Sequence, residues 1–260
     1  MLDVGATVAI LSERPGRTAL LTDFDGSLSP IVDRPQDARP HPDAPRVLAG
    51  LVARLGRVAI VSGRSVEFLA RHLPVPGLVY AGLYGAETLV DGVRRLDERL
   101  EGFAPVVEEA AREAQRRLPG VLVERKAGVS VTLHWRTAPE REAEVREVAG
   151  ELSARFGLDA PQRGRMAVEL RPPVGVDKGT AVGALVDGFA VGCFAGDDAG
   201  DLPAFAALAG AQRAGRIERA VCVGVLSAEA PDELRQAVDV VVDGPDGLVS
   251  LLARVVDEIA

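Results

Sequence analysis

Leu20-Leu21-Thr22-Asp23-Phe24-Asp25-Gly26-Ser27-Leu28-Ser29 is the most informative segment of this chain of 260 residues. Apolar residues lead directly into two carboxylates two positions apart, and a glycine follows. Strands buried on both faces of a parallel sheet are short apolar runs, and such sheets bind ligands at the carboxyl ends of their strands. We therefore expect Asp23 and Asp25 at a strand end, where one can attack a substrate and the other can transfer a proton. A loop in which an aspartate caps a turn is the alternative.

Short apolar runs of the same kind recur along the chain and alternate with amphipathic helical patterns. Strands are predicted at Thr18–Thr22, Val58–Val61, Leu78–Ala81, Ala190–Ala195, Ala220–Val223 and Val238–Val242. Helices are predicted at Asp43–Leu55, Val66–Leu73, Lys178–Val186, Pro203–Ala209, Asp232–Ala237 and Gly247–Ile259. This alternation is the layout of a doubly wound α/β fold with a mostly parallel sheet.

A different pattern occupies residues 103–172. Helices and strands are predicted there in the order α-β-β-α-β, at Pro105–Leu118, Val121–Arg125, Val129–Trp135, Pro139–Phe156 and Met166–Leu170. The turn Ala127-Gly128 joins the first two strands as a hairpin. We therefore expect an α/β core formed by residues 1–102 and 173–260, into which residues 103–172 are inserted as a small α+β domain.

Three further segments carry polar residues at positions suited to a phosphate and a metal ion. Ser62-Gly63-Arg64 follows a predicted strand and precedes a helix, where a hydroxyl and backbone amides can bind a phosphate. Lys178 begins a predicted helix, and because a cation opposes the helix dipole there, a nearby anion is expected. Gly196-Asp197-Asp198-Ala199-Gly200-Asp201 follows a strand with three carboxylates, which are ligands that Mg²⁺ takes. The alternatives are a serine that caps a helix and an ordinary acidic loop.

The charge balance and the apolar pattern exclude several classes of protein. The chain has 38 acidic and 30 basic residues, a net charge of −8, whereas binders of nucleic acids or anionic membranes need a basic face. No apolar run approaches the roughly 18 residues of a membrane span. Met1–Ala9 has no basic residue, so no signal peptide is expected. Cys193 and Cys222 lie in apolar runs, which predicts reduced core thiols of a cytoplasmic protein.

Lysine is rare in this chain. Of the 30 basic residues, 28 are arginine, and the two lysines are Lys126 and Lys178. A lysine ammonium is a compact point charge, whereas an arginine guanidinium is a planar fork. We therefore expect each lysine to do something that a guanidinium cannot, with chance survival in an arginine-rich sequence as the alternative. The histidines His41, His72 and His134 have no metal-ligand spacing.

Taken in order, these motifs resemble a known group of enzymes. Asp23-x-Asp25-x-Ser27, Ser62, Lys178 and Gly196-Asp197-Asp198-x-x-Asp201 are similar to the four motifs of the haloacid dehalogenase superfamily. Ser27 replaces the usual threonine and keeps a hydroxyl. Asp201 is preceded by Gly200 and followed by Leu202-Pro203, where the fourth motif usually continues with Thr-Asp-Glu.

The resemblance implies a Mg²⁺-dependent phosphatase. Asp23 would be the nucleophile that forms an aspartyl-phosphate, and Asp25 would be the general acid and base. Ser62 and Lys178 would hold the phosphoryl oxygens. Gly63 and Arg64, which follow Ser62, are further candidates for binding the phosphate, with a surface or structural arginine as the alternative for Arg64. Mg²⁺ would be bound by Asp23, the backbone carbonyl of Asp25 and Asp197, with Asp198 and Asp201 close behind.

The position of the inserted domain also resembles one branch of the superfamily, in which a cap between the second and third motifs recognises sugar phosphates. Three stretches are similar to the trehalose-6-phosphate phosphatases, namely Gly82–Glu87, Val123–Lys126 with His134–Arg136, and Val168–Pro172. This implies trehalose 6-phosphate as the substrate, with Glu124, Lys126 and Glu169 of the cap on the sugar hydroxyls. Carboxylates accept hydrogen bonds from a polyol and an ammonium donates them. A solvated ladder of salt bridges is the alternative.

Other functions fit parts of the pattern. The same chemistry could act on sucrose 6-phosphate or a glucosylglycerol phosphate. A phospho-acceptor signalling domain also places aspartate and lysine around Mg²⁺, but it needs neither Asp25 nor a cap. A catalytically inactive regulator would not need all the acids that are present. The expected partner is a small sugar phosphate, neither a nucleic acid nor a membrane, and the sequence identifies no protein partner.

Overall fold

The protein divides into two compact units in a computed structural model that describes residues 2–32, 34–126, 128–164, 166–226 and 232–260. The first unit runs up to Arg95 and resumes at Val176, and the second unit is Leu96–Gly175. The sequence predicts the boundaries of the inserted domain at residues 103 and 172. The second unit therefore takes in Leu96–Gly102 and Pro173–Gly175 in addition.

The described residues form twelve strands and nine α-helices. The strands are β1 (Thr18–Thr22), β2 (Arg57–Val61), β3 (Val79–Gly82), β4 (Glu87–Val90), β5 (Val93–Leu96), β6 (Leu122–Lys126), β7 (Ser130–His134), β8 (Gln162–Gly164), β9 (Ala167–Leu170), β10 (Val191–Gly196), β11 (Arg219–Leu226) and β12 (Val240–Asp243). The helices are α1 (Val4–Ser12), α2 (Ala44–Val52), α3 (Val66–His72), α4 (Ala104–Arg117), α5 (Glu142–Phe156), α6 (Lys178–Leu185), α7 (Leu202–Arg213), α8 (Asp232–Ala237) and α9 (Gly244–Glu258).

The main sheet has eight strands in the order β12-β11-β10-β1-β2-β3-β4-β5. The five pairs from β12 to β3 are parallel, and β3 pairs with β4 antiparallel. From β1 the chain continues to β2 on one side and later returns to β10 on the other side. The gap between β1 and β10 is therefore the topological switch point, where open α/β sheets bind ligands. The predicted doubly wound, mostly parallel α/β fold is confirmed.

Apolar side chains cover both faces of this sheet, which explains why its strands are almost purely apolar. Neighbouring residues of β1 alternate between the faces, with Leu20 in one cluster and Leu21 in the other. Helices α1, α2, α3 and α9 contribute to the cluster on the face of Leu20, and α6, α7 and α8 to that on the face of Leu21. All five residues of β1 are buried.

The two cysteines are buried core residues without a disulfide, as predicted. Cys193 lies in the cluster with Leu20 and Cys222 in the cluster with Leu21. Burial raises the pKa of the Cys193 thiol strongly and that of the Cys222 thiol to about 12. Neither thiol is therefore a reactive nucleophile at neutral pH.

The second unit has an antiparallel sheet in the order β6-β7-β9-β8 and its own apolar core. Helices α4 and α5 and the sheet bury residues such as Val107, Leu133 and Leu152 between them. Trp135 is also buried in this core, and the guanidinium of Arg146 lies 4.8 Å from its ring centroid. Of the predicted Ala127-Gly128 turn, Ala127 lies outside the described residues, and Gly128 adopts a positive φ of 73°.

Some elements were missed. The sequence did not predict helix α1, strand β8 or the hairpin of β4 and β5. Strand β5 is exposed throughout and therefore has no apolar alternation. Helix α7 was predicted to end at Ala209, before Gly210, but it continues to Arg213 and buries Ala211. Within the described residues, no helix is long and apolar enough to cross a membrane.

Candidate active site

Asp23 is the first residue after β1, and the neighbouring strand fixes its backbone. Its N–H donates to the carbonyl of Ala195 in β10 at 2.8 Å, and the residue is only 4% exposed. Three residues further on, Gly26 has a φ of +85°. A Cβ at Gly26 would lie 2.0 Å from Oδ2 of Asp197, so only glycine lets this loop pass so close to the end of β10.

Lys178 brings a buried positive charge to Asp23. It is the first residue of α6, which Asp177 and Thr180 cap reciprocally. Its Nζ lies 3.0 Å from Oδ1 of Asp23 and 2.6 Å from Oδ1 of Asp201, and the residue is 4% exposed. The anion expected beside this lysine is therefore a pair of carboxylates.

Asp201 holds the acidic loop in shape. Its Oδ2 accepts the backbone N–H groups of Asp197 at 2.9 Å and Asp198 at 3.1 Å, while its Oδ1 faces Lys178. The residue is fully buried. Both oxygens are thus engaged by donors of this chain, and Asp201 links the acidic loop to Lys178.

Asp23, Asp197 and Asp201 form a group that could hold a metal ion. One carboxylate oxygen of each residue lies within 4.8 Å of those of the other two. Oδ1 of Asp197 and Oγ of Ser27 are buried and have no hydrogen-bond partner within the described part of the chain. A buried carboxylate oxygen without a donor is unfavourable unless a cation occupies the space beside it. These oxygen donors therefore fit a hard divalent cation.

Asp198, predicted among the metal ligands, is not in this group. Its Oδ1 accepts the N–H of Gly200 at 2.8 Å, because the residue caps the short 3₁₀ turn Ala199–Asp201. The Asp25 side chain is not in the group either, and its predicted contribution was through the backbone carbonyl alone.

Burial shifts the protonation of these groups. It raises the pKa of the Asp23 carboxyl well above its usual range; Lys178 counteracts this, and Asp201 adds to it. Burial raises the pKa of Asp197 in the same way, and the charge of Asp23 adds to it. Burial by itself lowers the pKa of Lys178, but attraction to Asp201 and Asp23 outweighs that and leaves its pKa well above the ordinary value. The site has an excess of negative charge that a cation would neutralise.

The loop after β2 is held by the segment Gly82–Glu87. The Ser62 carbonyl accepts the N–H of Tyr84 at 2.8 Å, and the Arg64 carbonyl accepts that of Leu83 at 2.8 Å. Ser62 is 1% exposed and does not cap α3, because Ser65 accepts the N–H of Phe68 instead. The alternative that Ser62 is an ordinary helix cap is therefore wrong.

Arg64, a predicted phosphate ligand, is paired with the carboxylate of Asp25. Its Nε and Nη2 donate to Oδ2 and Oδ1 of Asp25, both at 2.7 Å. Its Nη1 donates to the Pro35 carbonyl, also at 2.7 Å. The structure therefore brings Arg64 to the second aspartate of the first motif.

Glu87 is a buried carboxylate that the sequence did not single out for a role. Its Oε1 accepts the N–H of Val66 at 2.6 Å, and its Oε2 accepts two bonds from Arg94 at 2.6 and 3.0 Å. Glu87 thus ties the hairpin of β4 and β5 to the start of α3. The segment Gly82–Glu87, which we had grouped with the cap by resemblance, lies in the first unit.

The three residues predicted to bind sugar lie together on the sheet of the second unit. Glu124 and Glu169 both pair across β7 with Thr132, so they share a face, and Lys126 lies two residues beyond Glu124. Nζ of Lys126 is 3.1 Å from Oε1 of Glu169, which also accepts the Ser130 hydroxyl at 2.5 Å. Nη2 of Arg171 donates to Oε2 of Glu169 at 2.7 Å. Nε2 of His134 lies 2.8 Å from Oε2 of Glu124.

The sequence of this chain is similar to those of known phosphatases. Residues 21–236 match the sequence model of the trehalose-phosphatase family. The trehalose-phosphate phosphatase of Mycobacterium marinum is 37% identical over 204 residues, which cover 74% of this chain and 52% of that protein. This chain spans about half the length of the curated relatives that it matches.

Solved structures show the same fold. A trehalose-6-phosphate phosphatase related protein is 26% identical with a TM-score of 0.70, covering 90% of this chain and 95% of that one. A haloacid dehalogenase-like hydrolase from Bacteroides thetaiotaomicron, 16% identical with a TM-score of 0.62, covers 91% and 97% and shows the fold alone. With the family match covering most of its length, the chain belongs to the trehalose-phosphatase family and has the fold of the haloacid dehalogenase-like hydrolases.

Proposed function

We propose that this protein hydrolyses trehalose 6-phosphate to trehalose and inorganic phosphate through an aspartyl-phosphate on Asp23. The observation that carries the proposal is the buried Asp23 carboxylate at the switch point of the sheet, 3.0 Å from the Lys178 ammonium. A carboxylate that attacks a phosphate dianion meets like-charge repulsion, which positive charge at the site offsets. The names of the relatives and the family support the substrate.

In the first step the sugar leaves. A carboxylate oxygen of Asp23 forms a bond to phosphorus, and the bond between phosphorus and the sugar oxygen breaks. The electron pair goes to the sugar oxygen, which takes a proton from the carboxylic acid of Asp25. Trehalose, phosphorylated Asp23 and the Asp25 carboxylate are the result.

In the second step Asp25 acts as a base. It takes a proton from a water molecule whose oxygen attacks phosphorus, and the bond to the Asp23 oxygen breaks. Inorganic phosphate leaves, the Asp23 carboxylate is regenerated, and Asp25 is again protonated. One water molecule is consumed in each cycle.

Mg²⁺ is the metal that we assign to the acidic group. Asp23 and Asp197 would hold it together with the backbone carbonyl of Asp25, and Asp198 and Asp201 would lie behind them. When bound, the ion neutralises charge on the phosphoryl oxygens and holds the attacking and leaving groups in line. The partnerless Oδ1 of Asp197 supports this assignment within the described part of the chain.

The phosphoryl oxygens bind to Lys178, the Ser62 hydroxyl and the backbone of Gly63. Lys178 contacts Asp23 and Asp201 already, so its ammonium can reach both the nucleophile and a phosphate as a point charge. The Tyr84 ring lies close to Gly63, since a Cβ at position 63 would lie 2.6 Å from the Tyr84 hydroxyl.

We assign substrate recognition to the inserted domain that the sequence predicts at residues 103–172. Glu124, Lys126 and Glu169 alternate acceptors and a donor on one face of its sheet, which suits a row of sugar hydroxyls. The ion pair of Lys126 and Glu169 holds both side chains in fixed positions. The two free buried cysteines support a reducing, cytoplasmic location.

Phosphate release tests the proposal. The purified chain is assayed with MgCl₂ on trehalose 6-phosphate, sucrose 6-phosphate and a glucosylglycerol phosphate, beside Asp23→Asn. We expect trehalose 6-phosphate to be preferred and Asp23→Asn to be inactive. Equal rates on all three substrates would overturn the trehalose assignment, an active Asp23→Asn would overturn the covalent mechanism, and a stable phosphoprotein without turnover would indicate a signalling domain.

A further inference from the structure

We propose that Arg64 is a positioning residue for Asp25 and not a ligand of the phosphoryl group. Arg64 fixes the orientation of the Asp25 carboxyl group. This group exchanges a proton with the leaving sugar oxygen in the first step and with water in the second step. This inference rests on the proposed function, because it needs Asp25 as the general acid and base. It replaces the phosphate-binding role that the sequence suggested for Arg64.

The contact between the two side chains is a bidentate fork. Nε and Nη2 of Arg64 donate to different oxygens of Asp25, each at 2.7 Å. Such parallel charge-assisted bonds fix both the distance and the plane of the carboxylate. The Arg64 side chain is 13% exposed and that of Asp25 is 30% exposed, so water screens the pair only in part.

Arg64 is itself held by other elements of the first unit. Nη1 donates to the Pro35 carbonyl at 2.7 Å, and the guanidinium carbon lies 4.6 Å from the centroid of the Phe68 ring. Phe68 packs edge-to-face against Phe24, the residue between the two aspartates, at 5.7 Å between centroids. The guanidinium therefore cannot turn without breaking a hydrogen bond and a ring contact.

The fork leaves Asp25 able to exchange a proton. A carboxylate has about four lone-pair sites, and Arg64 occupies one on each oxygen. A proton, a sugar oxygen or a water molecule can use a remaining site while the plane of the carboxyl group stays fixed. Proton transfer needs the group within hydrogen-bond reach of the reacting oxygen. Lysine at position 64 would keep the charge but could not hold both oxygens at once.

The test compares two substrates that differ in their need for an acid. The alkoxide of trehalose leaves only with a proton, whereas 4-nitrophenolate leaves from 4-nitrophenyl phosphate without one. In Arg64→Lys we expect kcat on trehalose 6-phosphate to fall by about 10²-fold or more. With 4-nitrophenyl phosphate we expect a rapid burst of about one nitrophenolate per enzyme and then slow turnover, because the phosphorylated Asp23 accumulates.

Two controls accompany the burst experiment. Asp25→Asn should show the same loss and the same burst, since it removes the acid and base directly. Arg71→Lys changes an exposed arginine of α3, the helix that follows Arg64; it is paired with Glu67, and the substitution should leave both reactions unchanged. Circular dichroism melts show whether each variant is folded. If Arg64→Lys is not folded, Arg64→Ala with millimolar guanidinium chloride replaces it, and recovery of trehalose 6-phosphate hydrolysis is expected.

Other results would overturn the proposal. If Arg64 binds phosphate, nitrophenolate release slows with no burst, and KM for both substrates and the inhibition constant of inorganic phosphate rise together. If Arg64→Lys hydrolyses trehalose 6-phosphate at the wild-type rate, the bidentate contact with Asp25 has no role in catalysis. If wild-type protein hydrolyses neither substrate, or if Asp25→Asn is fully active, the proposed function itself fails and this inference fails with it.

Discussion

The Lys178 ammonium and the Asp23 carboxylate are both almost fully buried, with Nζ 3.0 Å from Oδ1. Burial removes both charges from water; attraction to Asp201 and Asp23 outweighs this for Lys178, whereas for Asp23 burial prevails and its pKa stays raised. A buried charge is most costly when its partner is removed. Lys178 therefore partly offsets the cost of the buried carboxylates, and its removal would leave them without their cation.

Lys178→Met should abolish turnover and destabilise the metal-free protein by about 3–5 kcal/mol, because Asp23 and Asp201 lose the ammonium that both of them contact. Lys178→Arg should retain the charge but lose turnover, since the larger planar guanidinium replaces a compact ammonium. Urea unfolding and phosphate release are the measurements. A fully active Lys178→Arg would contradict the point-charge role.

Asp197→Asn and Asp201→Asn should have different effects on the stability of the metal-free protein. Burial raises the pKa of Asp197, so at neutral pH its ionised form opposes folding, and a neutral amide should leave metal-free stability equal or higher. Asp201 accepts bonds from Lys178, Asp197 and Asp198, so its loss should cost roughly 3 kcal/mol.

Melting temperature with and without MgCl₂ measures both effects. Wild-type protein should melt higher with the metal, because a ligand of the folded state stabilises it. Asp197→Asn should lose this rise and Asp201→Asn should melt lower even without metal. A rise that survives in Asp197→Asn would show that Asp197 is not a ligand.

Much of this site follows from local sequence rules. Asp23 and Asp197 come after buried apolar runs, and adjacent parallel strands bring their carboxyl ends to one edge. The lysine at the start of α6 opposes the helix dipole, so its need for an anion was predictable. These inferences work because strand ends and helix ends are properties of short segments.

The partners of Arg64 and Glu87 could not be predicted in the same way. Arg64 meets Asp25 only because β1 and β2 are neighbours and α3 packs Phe68 beside Phe24. Glu87 reaches Val66 because β4 pairs with β3 in the antiparallel direction. This hairpin was hard to predict, since the exposed strand β5 that follows has no apolar alternation. Both contacts depend on tertiary packing between segments that are distant in sequence.

Glu87→Ala should destabilise the first unit by about 1–3 kcal/mol, because the buried N–H of Val66 loses its acceptor. Glu87→Gln keeps an acceptor and should cost less. Glu67→Ala is the matched control, since its exposed pair with Arg71 contributes at most about 1 kcal/mol. Equal unfolding midpoints for Glu87→Ala and Glu67→Ala would contradict a structural role for the buried carboxylate.

Lys126→Arg should raise KM for trehalose 6-phosphate by roughly ten- to 100-fold, the loss expected for one or two hydrogen bonds from a charged donor. The rate with 4-nitrophenyl phosphate should not change, because that substrate has no sugar. Arg125→Lys, on the same strand and paired with Glu108, is the control and should leave both unchanged. Parallel losses on both substrates would indicate that the Lys126–Glu169 pair only supports the fold.

The buried thiols should make stability fall at alkaline pH. Burial raises the pKa of Cys193 strongly and that of Cys222 to about 12, whereas a thiol of the unfolded chain has a pKa of about 8.5. At a pH between the thiol pKa of the unfolded chain and that of the folded protein, the folded state binds more protons than the unfolded state. The contribution of the buried thiols to the free energy of unfolding is therefore complete below about pH 8.5 and declines as the pH rises towards 12. Urea midpoints from pH 8 to pH 10.5 should therefore fall less steeply for the double variant Cys193→Val with Cys222→Val than for wild-type protein. Identical slopes would mean that the thiols ionise alike in both states, and rapid reaction of the folded protein with a thiol reagent at pH 8 would lead to the same conclusion.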